Sequence, residues 1–148
     1  MIYTDLTKKA MTIAYNAHMG QINKKEETPY IFHPIHLAEQ MDTEEECIVA
    51  LLHDVVEDTD VKMEDLEKEF SDTVITALKL LTHDKNVDYM EYVTKIKSNP
   101  IARKVKLADL SHNIDRTRLK KITEEDIKRI EKYKMARNIL LLNSNINT

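Results

Sequence analysis

The sequence predicts an all-α protein, and three observations carry that reading. Apolar residues recur at helical spacing along almost the whole chain. No stretch shows the sustained apolar–polar alternation of a half-buried strand. One glycine and three prolines among 148 residues leave few tight turns and no Gly-rich phosphate loop, which argues against a P-loop or dinucleotide-binding fold. The length fits one compact domain over 1–148, with its core at about 4–142 and a frayed tail at 143–148.

The elements follow in order. Thr4-Asp5-Leu6 caps a first helix running to about His18, and Gly20 stops it. Residues 19–30 are polar and end in Thr28-Pro29-Tyr30, which reads as a loop. A short helix starts near Pro34, where proline suits the first turn. Asp42 or Thr43 caps the next, with Glu44–Glu46 at the positive end of its dipole. Its segment Cys47–Leu52 is apolar nearly all round, so it is the central buried helix, predicted to run to about Asp58. Short helices are expected at about 62–69 and 71–82, the second capped by Ser71. Two more cover about 88–98 and 100–117, the latter opening on Pro100. A long amphipathic helix covers about 123–142 behind the capping box Thr123-Glu124-Glu125-Asp126.

Composition narrows the function classes. The chain is 42% hydrophobic and 32% charged with a net charge of −4, a globular balance that argues against a dedicated nucleic-acid binder. The N-terminus lacks the apolar run of a signal peptide, and no stretch approaches the roughly 20 apolar residues of a membrane span. Cys47 stands alone, which fits a reducing cytoplasm and a core role. The charge is uneven: residues 1–100 carry −10 and residues 101–148 carry +6. Either these are solvated helix faces, or Arg103, Lys104, Lys106, Arg116 or Arg118 helps hold an anionic ligand.

The chemistry concentrates at His53-Asp54-Val55-Val56-Glu57-Asp58, which ends the most apolar helix. Unpaired buried charge is expensive. Either the helix end emerges into water here, or the carboxylates and imidazole surround a cation. His33, between Ile31-Phe32 and Pro34-Ile35, reads singly as a satisfied core histidine or as a ligand. Asp109, on the apolar stretch Val105–Leu110, reads singly as a helix-pairing acid or as a ligand. Together these two histidines and two acids form a borderline-hard donor set that leaves positions open for water and substrate.

That set resembles the metal ligands of the HD-domain phosphohydrolases. A narrower similarity runs from about residue 4 to 140. Ala17-His18-Met19-Gly20-Gln21 with Thr28-Pro29-Tyr30-Ile31-Phe32-His33-Pro34, then Ala50–Thr59 and Val105–Asp109, are similar to the Rel/SpoT-type (p)ppGpp 3′-pyrophosphohydrolases, including the small stand-alone alarmone hydrolases. The resemblance implies a helical HD-domain fold and a Mn²⁺-dependent release of pyrophosphate from a nucleotide substrate. It implies His33, His53, Asp54 and Asp109 as metal ligands, and Glu57 and Asp58 as the pair that orients and deprotonates water. Asn113 and Lys24 match nucleotide contacts; Tyr30, Lys85 and Tyr133 are weaker matches that also read as packing or solvated residues. His18 is expected to tie the first helix to the site loop, His36 and His83 to be surface or half-buried, and His112 to turn about 100° away from Asn113.

Three departures fall in the nucleotide-recognition part. Asn23 stands where the family has an arginine that packs on guanine, Glu27 where it has glycine, and Asp115-Arg116 shifts a basic position by one. The metal is not fixed by the residues, which also admit Fe²⁺, Zn²⁺ or Ni²⁺. Three readings therefore stand: an alarmone hydrolase, a hydrolase of another nucleotide such as a nucleoside 3′-phosphate or NADPH, and a non-catalytic nucleotide sensor. Alarmone synthesis needs a second domain in that family, and the 148 residues match only the hydrolase part.

Overall fold

The computed structural model describes residues 1–142, so the expected fraying of 143–148 lies outside the described residues. Helix α1 spans Asp5–Ala17. Its cap is reciprocal: the Thr7 N–H donates to Thr4 Oγ1 (3.1 Å) and the Thr4 N–H to Thr7 Oγ1 (2.7 Å). The chain turns at Gly20, whose φ of 83° suits a residue without a Cβ. Residues 19–30 are not wholly irregular. Strands β1 (Ile22–Asn23) and β2 (Thr28–Pro29) pair antiparallel, with Ile22 opposite Pro29 and Asn23 opposite Thr28. Two residues per strand are too few for an alternation to show in sequence.

Helix α2 (Phe32–Glu39) starts two residues before Pro34, which still sits in its first turn. Helix α3 (Glu44–Leu52) is capped by Thr43 and is the centre of the molecule. Cys47–Leu52 are each at most 1% exposed, and α3 packs against α1, α2, α6 and α8. The expected continuation to Asp58 is corrected. The helix stops at Leu52, and a separate turn, α4 (Val55–Asp58), follows. The cause is local: the His53 ring donates from Nδ1 to the Ala50 carbonyl (2.7 Å), and Asp54 takes φ −107°, ψ 0°.

Short α5 (Met63–Glu67) precedes α6 (Asp72–Leu81), capped by Ser71, and α7 (Tyr89–Ile96), capped by Asp88. Helix α8 (Pro100–Ile114) opens on Pro100 behind the Asn99 cap. It ends three residues sooner than expected, because Asp115 Oδ1 accepts from the Thr117 N–H (2.9 Å) and caps a 3₁₀ turn at Arg116–Arg118. Helix α9 (Glu124–Leu141) carries the expected capping box, with Thr123 and Asp126 bonded reciprocally. One continuous apolar core joins α1 through α9, with Val55 as the contribution of α4. Among the described residues no helix is long and apolar enough to cross a membrane.

Candidate metal centre and cavity

Three helices deliver the central cluster. His33 comes from the first turn of α2, His53 from the end of α3 and Asp109 from the buried side of α8. They are 5%, 4% and 6% exposed, where ionisable groups are seldom left without partners. One donor atom from each lies within 4.8 Å of the other two. His33 Nε2 is 2.9 Å from Asp109 Oδ1, and His53 Nε2 is 3.7 Å from the same oxygen. Asp54 sits beside the cluster, its Oδ2 3.1 Å from His53 Nε2 and also accepting from the Tyr30 hydroxyl.

The donors fit a divalent cation. A carbonyl can only accept, so the bond to Ala50 fixes a proton on Nδ1, and Nε2 is the nitrogen that can give up its proton to offer a cation a lone pair. Among the described residues that buried Nε2 has no hydrogen-bond partner, with Asp54 Oδ2 3.1 Å and Asp109 Oδ1 3.7 Å away. A buried imidazole lone pair converging with carboxylate oxygens is the donor chemistry of a borderline metal site.

The electrostatics agree with negative charge held in place. Burial pushes Asp54 upward, but the His53 charge beside it wins and holds its carboxyl at about 2. Burial likewise opposes ionisation of Asp109, and Lys106 with the two imidazoles outweighs it, keeping that carboxyl well below the usual range. For His53, burial lowers the pKa, but Asp54 and Asp109 raise it more, for a net rise well above the usual value. Lys106 Nζ lies 3.0 Å from Asp109 Oδ2 and over the rings of Tyr89 and Tyr92 (5.8 and 5.3 Å). Asp58 behaves differently: burial and the charges of Asp54 and Glu57 push its carboxyl up to about 6.

The cluster floors a cavity of about 360 Å³. Tyr30, Glu57, Asn113 and Tyr133 line it, whereas Asp58, Lys24 and Lys85 are not among its walls. Although the helix breaks at His53–Asp54, Glu57 on the separate turn α4 lines the same cavity as His53; its Oε1 accepts from the His83 N–H (2.7 Å). Asp58 is exposed just beyond, its carbonyl accepting from Gln21 Nε2 (3.1 Å). Gln21 also bonds His18 Nδ1 (2.8 Å), so His18 connects the end of α1 to this acidic segment. Asn113 Nδ2 donates to Asp109 Oδ1 (3.0 Å). Lys24 and Lys85 are exposed, and Lys25 stands in the wall instead.

Four Lys and Arg side chains line the cavity, and each meets an acid. Lys25 Nζ (3.3 Å) and Arg129 Nη2 (2.5 Å) reach Asp126 Oδ1. Lys106 meets Asp109, and Arg118 forks onto Glu26 at 2.6 and 3.1 Å. The Glu26–Arg118 pair joins residues 92 apart, and nothing in their spacing announces it. Of the five C-terminal cations weighed from sequence, Lys106 and Arg118 face the cavity. Arg103 instead donates to the Leu140 carbonyl (2.7 Å), Lys104 pairs with Asp42 and Glu46, and Arg116 is exposed. His36 is exposed and His83 half-buried, both as expected, and His83 stacks on Tyr92. His112 is not remote: it contacts His33, and its place three residues after Asp109 on one helix was the signal. Glu27 adopts φ 61°, a left-handed backbone that favours a residue without a Cβ.

A family model described as an HD domain matches residues 10–135. A guanosine-3′,5′-bis(diphosphate) 3′-pyrophosphohydrolase of Drosophila melanogaster is 38% identical over 101 residues, covering 60% of this chain and 56% of that protein. Its namesake from Danio rerio is 36% identical over 123 residues, covering 75% and 68%. The match thus spans little more than half of the fly protein's length. A solved structure described as a metazoan ortholog of SpoT that hydrolyzes ppGpp and plays a role in starvation responses superposes with a TM-score of 0.75 at 28% identity. That superposition covers 98% of this chain and 91% of the other.

Proposed function

The chain belongs to the HD-domain family, and from that premise we propose that it is a Mn²⁺-dependent hydrolase of guanosine 3′-pyrophosphates. The observation that carries this reading is the buried His33–His53–Asp109 donor cluster on the floor of the cavity, with Asp54 beside it. Names and fold of the relatives support the substrate class. The single buried cysteine accords with a cytoplasmic setting.

In the reaction, water attacks the phosphorus on O3′, the P–O3′ bond breaks, and pyrophosphate leaves with a nucleoside 5′-di- or triphosphate. A divalent ion held by His33, His53, Asp54 and Asp109 supplies a Lewis acid and lowers the pKa of water. The chain's own residues do the rest. Glu57, in the cavity wall, and Asp58, exposed just beyond it, orient the attacking water and take its proton. Tyr30 holds the Asp54 carboxylate by its hydroxyl. Lys106 offsets the charge of Asp109. Asn113 and Tyr133 face the nucleotide from the wall; Lys24 and Lys85 reach it only from outside that wall.

A second reading, hydrolysis of another nucleotide, is favoured by one specific feature. Asn23 lines the cavity in place of an aromatic-stacking cation, and every wall cation is already paired. The purified protein incubated with ppGpp and Mn²⁺ decides. Pyrophosphate and GDP in equal amounts support the first reading. No cleavage of ppGpp, with orthophosphate released from a nucleoside 3′-phosphate or NADPH, supports the second. No turnover of any of them leaves the sensor.

A further inference from the structure

His112 has no role in the mechanism above, yet it touches a proposed ligand. Its Nδ1 is 2.7 Å from His33 Nδ1, and the two rings stack with centroids 5.0 Å apart and planes 8° from parallel. Two ring nitrogens this close share one proton: two lone pairs repel, and two N–H groups collide. The other nitrogen of His33, Nε2, faces Asp109 Oδ1. For Nε2 to offer a lone pair to a cation, the proton of neutral His33 has to sit on Nδ1, and that N–H then requires an acceptor. His53 satisfies the same requirement with the Ala50 carbonyl. His33 has the imidazole of His112 there. The acceptor is itself anchored: Arg118 Nη1 donates to the His112 carbonyl (2.5 Å), and the His36 ring packs 4.2 Å from it.

We propose that His112 is the positioning residue of His33, its Nδ1 accepting the His33 Nδ1–H and thereby locking the tautomer whose Nε2 faces a divalent cation. The inference rests on the metal-site reading of His33, but not on which nucleotide is cleaved.

The test is Mn²⁺ affinity, measured by titrating chelator-stripped protein against a competing chelator. His112→Phe keeps a stacking ring and removes the acceptor; His112→Asn removes the ring and keeps an amide oxygen where Nδ1 was. Phe is expected to weaken Mn²⁺ binding by about 10- to 100-fold, with Asn much closer to the wild type. Wild-type affinity in the Phe variant, or an Asn variant as weak as Phe, overturns the inference. Should the Phe variant not fold, ¹⁵N-histidine spectra of the Zn²⁺-loaded wild type decide instead. A His33 proton on Nδ1 supports the inference, and a proton on Nε2 overturns it. Unchanged Mn²⁺ affinity in His33→Ala sinks the metal-site reading itself, which keeps the two failures apart.

Discussion

Asp109 is the residue on which most of the site's charge balance turns. It meets His33, Asn113 and Lys106 directly and lies near His53. Replacing it by Asn removes a proposed ligand and leaves the largely enclosed Lys106 without its partner, a change that costs on the order of 3 kcal/mol. Urea unfolding of Asp109→Asn should therefore show a lower midpoint, and Mn²⁺ should no longer stabilise the variant. A wild-type response to Mn²⁺ would contradict its role as a ligand. At this scale the sequence was informative where chemistry is unusual. A histidine and acids ending an apolar helix, and an acid inside Val105–Leu110, stand out from their neighbours. It was silent where contacts join distant segments, as at Glu26–Arg118, and uninformative about which of two adjacent lysines, Lys24 or Lys25, enters the wall.

Elements place these residues, and caps place the elements. Helix α9 begins with Thr123 Oγ1 accepting from the Asp126 N–H (3.2 Å), while Asp126 Oδ2 accepts from the Thr123 N–H (2.9 Å). Thr123→Ala should lower stability by about 1 kcal/mol, read as a shift in denaturant midpoint at unchanged slope. The Asp126 carboxyl is held below the usual range, first by the Thr123 backbone N–H, with the Thr123 hydroxyl, Arg129 and Lys25 adding to it. A depressed folded-state pKa means the unfolded chain takes up the proton first. Its stabilisation is thus complete above roughly pH 4 and is lost as pH falls below that value. Asp126→Asn should flatten the acid side of the stability profile, and a profile unchanged below pH 4 would contradict the account. Element boundaries were legible at the caps and at Pro100 because those signals are local. The break after Leu52 was not, because it depends on a ring-to-carbonyl bond that periodicity cannot register.

Over the whole molecule, the lopsided charge of the sequence finds its explanation in pairing across the fold. Lys104 meets Asp42 and Glu46, Arg118 meets Glu26, and Lys120 meets Glu27. C-terminal cations thus fasten onto N-terminal acids, and three of the four wall cations are drawn from the basic half. The same long-range assembly brings α2, α3 and α8 together around the core so that their ionisable residues meet at one point. A fold that builds its site this way should gain stability from the ion it holds. Mn²⁺ at about 100 times its dissociation constant adds roughly 2.7 kcal/mol, and the melting temperature should rise accordingly and fall again with chelator. The central claim is that this cluster performs 3′-pyrophosphate hydrolysis. Its most direct measurement is product identity from ppGpp, with and without Mn²⁺, for the wild type and His53→Ala. The account predicts pyrophosphate and GDP from the wild type with Mn²⁺, and neither from the variant. Pyrophosphate release undiminished in His53→Ala, or none from the Mn²⁺-loaded wild type, would contradict it.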